Sequence, residues 1–288
     1  MEQLKGDVSA RIARLSVYPV KSCAAIDVEQ AVLRATGLEY DRAWMVVDRT
    51  GEFVTQREHP RMALIKPGLT PDYLVLHAEG MPSMRVALDT AGPPLHAKVW
   101  SDSVPAHDMG PDAAHWLSRF LRHELRLVRF DPDGRRLSDL HWTGGLEAPN
   151  QFGDGYPLLV AGEASLESLN DRLRAAGLAT VEMNRFRPNI VLSGIEAHNE
   201  DRLGVLHVST AGGAAQIKPV KPCTRCPIPN IDQATAVSRP DVTDMLQTYR
   251  QNAQMDGAIT FGMNAIVLKG MGQALRVGQT VTADYRFD

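Results

Sequence analysis

The sequence predicts a mostly β, α+β fold, because short runs with strand periodicity outnumber helical stripes and glycine or proline separates most of them. Ala13, Leu15 and Val17 alternate with Arg14, Ser16 and Tyr18, the period of two expected of a half-buried strand. Pro19 lacks a backbone donor and so confines this strand to an edge or ends it. Residues 43–47 form a second short apolar run, and Arg49-Thr50-Gly51-Glu52 reads as a hairpin turn into a strand over 53–56. Further strands are expected over 63–66, 73–77, 85–88 and 97–100, with breaks at Pro67-Gly68, Gly80 and Gly92-Pro93-Pro94.

Helical spacing appears in three places. Residues 114–121 follow Pro111-Asp112 and put Trp116, Leu117, Phe120 and Leu121 on one face. Residues 162–176 carry Leu166, Leu169 and Leu173 and stop at Gly177. Residues 240–249 carry Val242, Met245, Leu246 and Tyr249, with Pro240 suited to the first turn. These stripes are core faces and have no functional part. Strands return over 205–209, 215–220, 258–268 and 281–285. The polar, turn-rich stretch 131–155 is the expected connection between two lobes.

Composition narrows the function classes. At 288 residues the chain exceeds what one hydrophobic core usually organises. Hydrophobic residues at 44% and charged residues at 23% are ordinary for a globular protein. Lys+Arg of 31 against Asp+Glu of 34 gives a net charge of -3, with no nucleic-acid footprint. No apolar run is long enough to span a membrane, and residues 1–7 lack the apolar core of a secretory leader. The three cysteines, Cys23, Cys223 and Cys226, are too few for a disulfide scaffold, so a reducing cytoplasm is the expected location.

The sharpest chemical feature is Lys221-Pro222-Cys223-Thr224-Arg225-Cys226-Pro227-Ile228-Pro229-Asn230. A thioredoxin-like pair needs a helix after the second cysteine, which Pro227 and Pro229 oppose. A zinc site needs two more ligands, which Cys23 and one of the scattered histidines can supply. A third reading is one exposed thiolate, acting as nucleophile or soft-metal ligand and favoured by Lys221 and Arg225. Two buried structural thiols are the fourth. A second feature is Tyr18-Pro19-Val20-Lys21-Ser22-Cys23, where Lys21, Ser22 and backbone N–H groups can hold an oxyanion. Arg42, and Arg187 in Phe186-Arg187-Pro188-Asn189, flank apolar strands and suit bidentate phosphate binding.

Taken in order, Tyr-Pro-Val-Lys-Ser-Cys, Asp-Arg-x-Trp, Phe-Arg-Pro-Asn-Ile-Val and Cys-x-x-Cys resemble the MOSC-domain proteins that carry a MOSC N-terminal β-barrel domain, the group that includes amidoxime-reducing components. Residues 51–57, Glu163-Ala164-Ser165-Leu166, Asp232, Thr248-Tyr249-Arg250-Gln251, Phe261-Gly262 and Leu275-Arg276-Val277-Gly278 extend the resemblance over nearly the whole chain. It implies an N-terminal β-barrel-like domain over 9–125, packed with a few helices against a MOSC β-barrel domain over 126–286 that carries the cysteine ligand. It also implies a molybdenum cofactor, a pyranopterin whose metal takes one protein thiolate, matched by Cys226. Lys21, Ser22, Arg42, Arg187 and Asn189 match the phosphate and pterin contacts, and 154–156 match the neighbourhood of the cofactor. Cys223 has no implied metal role.

The implied reaction is reductive removal of oxygen from small N-hydroxylated molecules: hydroxylamines, amidoximes or N-hydroxylated bases. Asp232, just beyond the cysteine loop, is the expected proton relay. Some relatives continue into a four-cysteine ferredoxin domain, whereas this chain has no cysteine after Cys226. Electrons are therefore expected from a separate ferredoxin-like or flavin reductase system, with no membrane anchor and no nucleic acid involved. The alternative is a non-catalytic carrier of sulfur or finished cofactor, using Cys226 as persulfide or thiolate.

Overall fold

In the computed structural model, which describes residues 6–89 and 92–286, seven strands close into a barrel. Most of the segment 1–7 read above for a leader lies outside the described residues. Around the barrel the order is Ile190–Ser193, Leu158–Gly162, Thr260–Lys269, Gly213–Thr224, Leu206–Thr210, Thr280–Ala283 and Val8–Val17, which meets Ile190–Ser193 again. Closure depends on the length of Val8–Val17, which pairs with Thr280–Ala283 through 8–11 and with Ile190–Ser193 through 11–15. A closed sheet leaves no edge among these strands.

The first strand starts five residues before the alternation read from Ala13. Val8, Ala10 and Ile12 face the core, and then a bulge between Ile12 and Arg14 shifts the inward set to Leu15 and Val17. A one-residue irregularity flips the buried parity, so one uninterrupted period cannot describe the strand. Leu158–Gly162 and Ile190–Ser193 are the parallel pair, joined through the helix Glu163–Ala175. Leu158–Gly162 is buried throughout, which gives an apolar run in place of alternation.

The second lobe holds a four-stranded sheet in the order Trp44–Val47, Arg126–Phe130, Asp102–Asp108, Pro94–Val99. A three-stranded meander, Lys66–Leu69, Tyr73–His77 and Met84–Ala87, joins it, with the helix Pro111–Leu121 packing Trp116, Leu117 and Phe120 inward. Residues 131–157 connect Arg126–Phe130 of this sheet to Leu158–Gly162 of the barrel, as the turn-rich composition predicts. The mostly β architecture is as expected, and the differences are local. The expected strand 53–56 is reduced to isolated bridges at Glu52 and Phe53, because Thr55 turns the chain by bonding the Glu58 carboxylate. The expected strand 63–66 is instead the short 3₁₀ helix Pro60–Leu64, begun by Pro60, whose ring presets a helical φ. Among the described residues no helix is long and apolar enough to cross a membrane.

A buried polar group anchors the helix layer. Glu200 is fully buried, accepts a 2.6 Å hydrogen bond from Ser165 Oγ, and lies against Gly162 at the start of Glu163–Ala175, where a carboxylate offsets the helix dipole. Next to it His198 takes a left-handed φ of 65°, its ring 5.6 Å from Tyr249 and 6.1 Å from Phe261. Burial, helped by Arg250 and Arg172, pushes its imidazole down to about 4 from 6.5. The unfolded chain therefore takes up a proton that the fold refuses, and His198 costs stability progressively as pH falls from about 6.5 to about 4. His198→Asn keeps a residue tolerant of that φ and removes the titration. The full shift corresponds to about 3 kcal/mol. Because His198 is partly exposed to screening solvent, urea titrations should show wild type losing about 1–2 kcal/mol relative to this variant across that window; parallel pH profiles would contradict the assignment.

Candidate functional site

Where the two lobes meet, a cavity of about 500 Å³ collects residues from eight separate segments of the chain. Lys21, Ser22, Arg42, Arg187, Asn189 and Cys226 all line it. Lys21 and Ser22 sit in the turn that ends the first strand, and Arg42 precedes Trp44–Val47. Arg187 and Asn189 lead into Ile190–Ser193. Cys223 stands near the end of Gly213–Thr224, where Pro219 and Pro222 mark register shifts against Thr260–Lys269. Those prolines cannot donate to the ladder, and the bulges turn Lys221 and Cys223 toward the cavity. No α-helix follows Cys226 directly; the chain makes the 3₁₀ turn Ile228–Asn230, against the thioredoxin reading.

Its two principal arginines are clamped on one aromatic ring. The guanidinium carbons of Arg42 and Arg187 lie 4.3 and 4.4 Å from the centre of the Tyr18 ring, which is itself 1% exposed. Desolvated cation–π contacts of this kind contribute about 2 kcal/mol each. Arg187 Nη1 donates to the Cys23 carbonyl at 2.7 Å, and Arg42 Nη2 to the Arg187 carbonyl at 3.1 Å. Arg42 is also ion-paired with buried Asp41, which accepts from the Tyr18 N–H at 2.8 Å. Burial pushes the Arg187 guanidinium down to about 10 and the Tyr18 hydroxyl up to about 12.

Lys21 is buried, and its Nζ donates to the Phe152 carbonyl at 2.8 Å and to Asp154 Oδ1 at 2.6 Å. Burial pulls the ammonium below its usual range while Asp154 opposes the shift. Asp154 is largely exposed at the cavity surface, and the adjacent Lys21 holds its carboxyl well below the carboxylate range. Asn189 spends its amide on structure: Nδ2 donates to the Ser16 carbonyl, and Oδ1 accepts from the Leu159 N–H and Arg42 Nη1. It positions Arg42 more than it offers itself to a ligand.

The two cysteines of the motif differ. Cys223 Sγ accepts from Arg225 Nη1 at 2.9 Å, so the cation expected to favour a reactive thiolate sits on the first cysteine. Among the described residues nothing hydrogen-bonds the Cys226 sulfur, which faces the cavity half-buried. Cys23 is fully buried and its thiol is pushed up to about 12, and among the described residues no group of three or more His, Cys, Asp or Glu is arranged to hold a metal ion. The zinc reading loses its ligands.

Asp232 is the predicted residue that the structure sets apart. It is not among the cavity-lining residues, and its carboxylate is committed to Arg185 Nη2 at 2.9 Å and to the N–H groups of Ala234 and Thr235. Slight burial raises the acid, but the bonds from Thr235, Ala234 and Arg185 outweigh it and hold it ionised. A low-lying carboxylate that closes a turn is poorly suited to deliver protons.

Sequence reasoning missed several residues here. Arg136 is buried and grips the Gln151 and Gly153 carbonyls at 2.8 and 2.6 Å, setting the loop that carries Asp154. Gln56 donates to the Ser22 carbonyl and exchanges two hydrogen bonds with Gln233, tying the oxyanion turn to the loop beyond the cysteines. Arg57 and Trp100 reach the cavity from the second lobe. The cavity wall carries six cationic side chains (Lys21, Arg42, Arg57, Arg187, Lys221 and Arg225) against one carboxylate, Asp154. That excess calls for an anionic ligand. Inorganic pyrophosphate should raise the melting temperature of wild type and of Tyr18→Phe, which loses only the 3.3 Å bond to the Pro188 carbonyl, at about 1 kcal/mol. Tyr18→Leu removes the ring that both guanidiniums contact and should abolish the pyrophosphate effect in calorimetry; an undiminished shift would refute the clamp.

Comparison with known proteins agrees with this geometry. Residues 9–124 match the MOSC N-terminal beta barrel domain and residues 147–282 the MOSC domain. The chain is 35% identical to mouse (Mus musculus) mitochondrial amidoxime-reducing component 1 over 249 residues, covering 83% of this chain and 71% of that one. It is 33% identical to human (Homo sapiens) mitochondrial amidoxime reducing component 2, covering 83% and 72%. It is 30% identical to bovine (Bos taurus) molybdenum cofactor sulfurase, covering 85% of this chain and 30% of that one. The two domain matches and the identity over most of both chains make this chain a member of the MOSC family in its two-domain form with the N-terminal β-barrel.

Proposed function

We propose that the chain holds a molybdenum cofactor in this cavity and reduces N-hydroxylated compounds with electrons from a separate redox protein, ferredoxin-like or flavin-dependent. The observation that carries the reading is the pairing of six cations and one carboxylate with the Cys226 sulfur, which nothing hydrogen-bonds among the described residues. The residues fit such a group. Cations buried against their own desolvation cost suit a phosphate, and the buried, unpartnered Nε of Arg225 leaves a donor beside the cysteines. A soft thiolate suits a metal already bound by sulfur, and Cys226 would supply it. Lys21, Ser22, Arg42 and Arg187 would hold the phosphate.

When bound, the cofactor supplies two-electron reduction at the N–O bond; the protein supplies placement and protons. The overall change breaks the N–O bond with two electrons and two protons and gives water and the deoxygenated nitrogen compound, an amine from a hydroxylamine or an amidine from an amidoxime. Within the cavity the Lys21–Asp154 pair keeps its proton on Lys21 Nζ, because Asp154 is held ionised while burial weakens the ammonium's grip. Lys21 Nζ is thus the proton-bearing atom of the pair, and Asp154 orients it.

A second reading, a carrier that hands on sulfur or cofactor through Cys226, is favoured by the likeness to a protein named molybdenum cofactor sulfurase. One preparation from a cofactor-competent host separates the two. With an artificial reductant and hydroxylamine, wild type should turn over and contain molybdenum. Cys226→Ala should lose about a thousandfold or more in turnover, and Cys223→Ala should stay within a few-fold. Retained metal and undiminished turnover in Cys226→Ala would overturn the ligand assignment, whereas full metal loading with no turnover on any N-hydroxylated compound would identify the carrier.

A further inference from the structure

The hairpin of Pro94–Val99 and Asp102–Asp108 turns through two residues, Trp100 and Ser101, between the paired Val99 and Asp102. Trp100 takes φ of 56°, a conformation that glycine or asparagine adopts readily in such a turn and that a bulky aromatic adopts only against steric resistance. The indole is 47% exposed, so it does not gain the burial that usually offsets strain, and it belongs to none of the apolar clusters of its lobe among the described residues. Yet it lines the same cavity as Cys226.

Its neighbours hold it there. The Arg57 guanidinium carbon lies 4.6 Å from the indole centre, and the Phe53 ring meets it at 5.0 Å and 61°. Arg57 is in turn fixed by its Nε bond to Thr55 Oγ1 at 3.1 Å. The other aromatic residues of the cavity wall are already engaged. Phe186 is fully buried and stacked on Phe261 at 3.9 Å, and the Lys221 ammonium sits 6.0 Å from the Tyr156 ring. A strained, braced and solvent-facing aromatic at the mouth of a cavity is suited to stack a flat molecule.

We propose that Trp100, backed by Arg57, is the specificity-determining platform of the site, against which the planar part of an N-hydroxylated substrate stacks. Aromatic amidoximes and N-hydroxylated bases, whose N–O group is conjugated with a ring, are thereby selected over small aliphatic analogues that offer no such face. This inference rests on the reductase reading above.

Benzamidoxime and acetamidoxime carry the same reducible group with and without a ring. Trp100→Gly relieves the backbone strain, so it should melt no lower than wild type and keep its molybdenum. Its KM for benzamidoxime should rise about 10-fold, the scale of one aromatic stack, with acetamidoxime kinetics within twofold of wild type. Saturable quenching of tryptophan fluorescence by benzamidoxime should be present in wild type and absent in the variant. Parallel changes for both substrates, or no change, would overturn the proposal. Loss of molybdenum would overturn it too, by showing that the indole covers the cofactor. If wild type reduces neither compound, the reductase reading falls separately and the fluorescence titration alone decides the platform: quenching lost in Trp100→Gly supports it, and equal or absent quenching refutes it.

Discussion

The arrangement of the site depends on burying positive charge around one tyrosine ring. Arg42 and Arg187 are like charges gathered around one ring, which is unfavourable in isolation, and Tyr18 offers each guanidinium a cation–π contact. That stack requires the first strand to end just before Tyr18, Pro188 to receive the hydroxyl, and Asp41 to accept from the Tyr18 N–H. It therefore joins the end of Val8–Val17 to the start of Ile190–Ser193, the same pairing that closes the barrel. Closing the barrel and assembling the cationic cavity wall are one structural event.

The second lobe completes the cavity through polar couplings. Gln56 and Gln233 exchange hydrogen bonds across 177 residues of sequence, and Lys21 reaches the Phe152 carbonyl on the connecting segment. Arg136 holds that segment by its carbonyls and is anchored in return by Asp102 of the hairpin whose tip is Trp100. The connection between the lobes thus has two tasks, spanning them and delivering Asp154 to Lys21. A connection that only spanned would not need a buried arginine.

Much of this was legible from the residues. Lys21, Ser22, Arg42, Arg187 and Cys226 converge because each stands at a strand end, where short-range punctuation by Pro19, Pro188 and Pro222 is readable in one dimension. Periodicity failed where geometry broke it, at the Ile12/Arg14 bulge and at the Pro60–Leu64 turn. Asp232 was misread because proximity in sequence to the cysteine loop does not set side-chain direction: its carboxylate turns away to cap residues 234–235. Arg136, Gln56 and Trp100 act through partners far away in sequence, and only packing brings those partners near. Trp100 left one local trace, a tryptophan in a two-residue turn where a smaller residue is favoured.

Backbone strain marks this site more clearly than composition does. Among the described residues, Ser22, Arg42, Trp100 and Arg187 line the cavity and take positive φ without being glycine. Each such conformation costs about 1–2 kcal/mol. Ser22 is held by Gln56, Arg42 by Asn189 and Asp41, and Arg187 by the Cys23 carbonyl, so the hydrogen-bonded surroundings impose a conformation that the local chain disfavours. Glycine at any of these four positions would relieve the strain but remove the hydroxyl, guanidinium or indole from the cavity wall. The four positions trade conformational ease for a fixed side chain, and a cavity wall whose side chains are held in one orientation gains that fixity at the cost of the stability forgone.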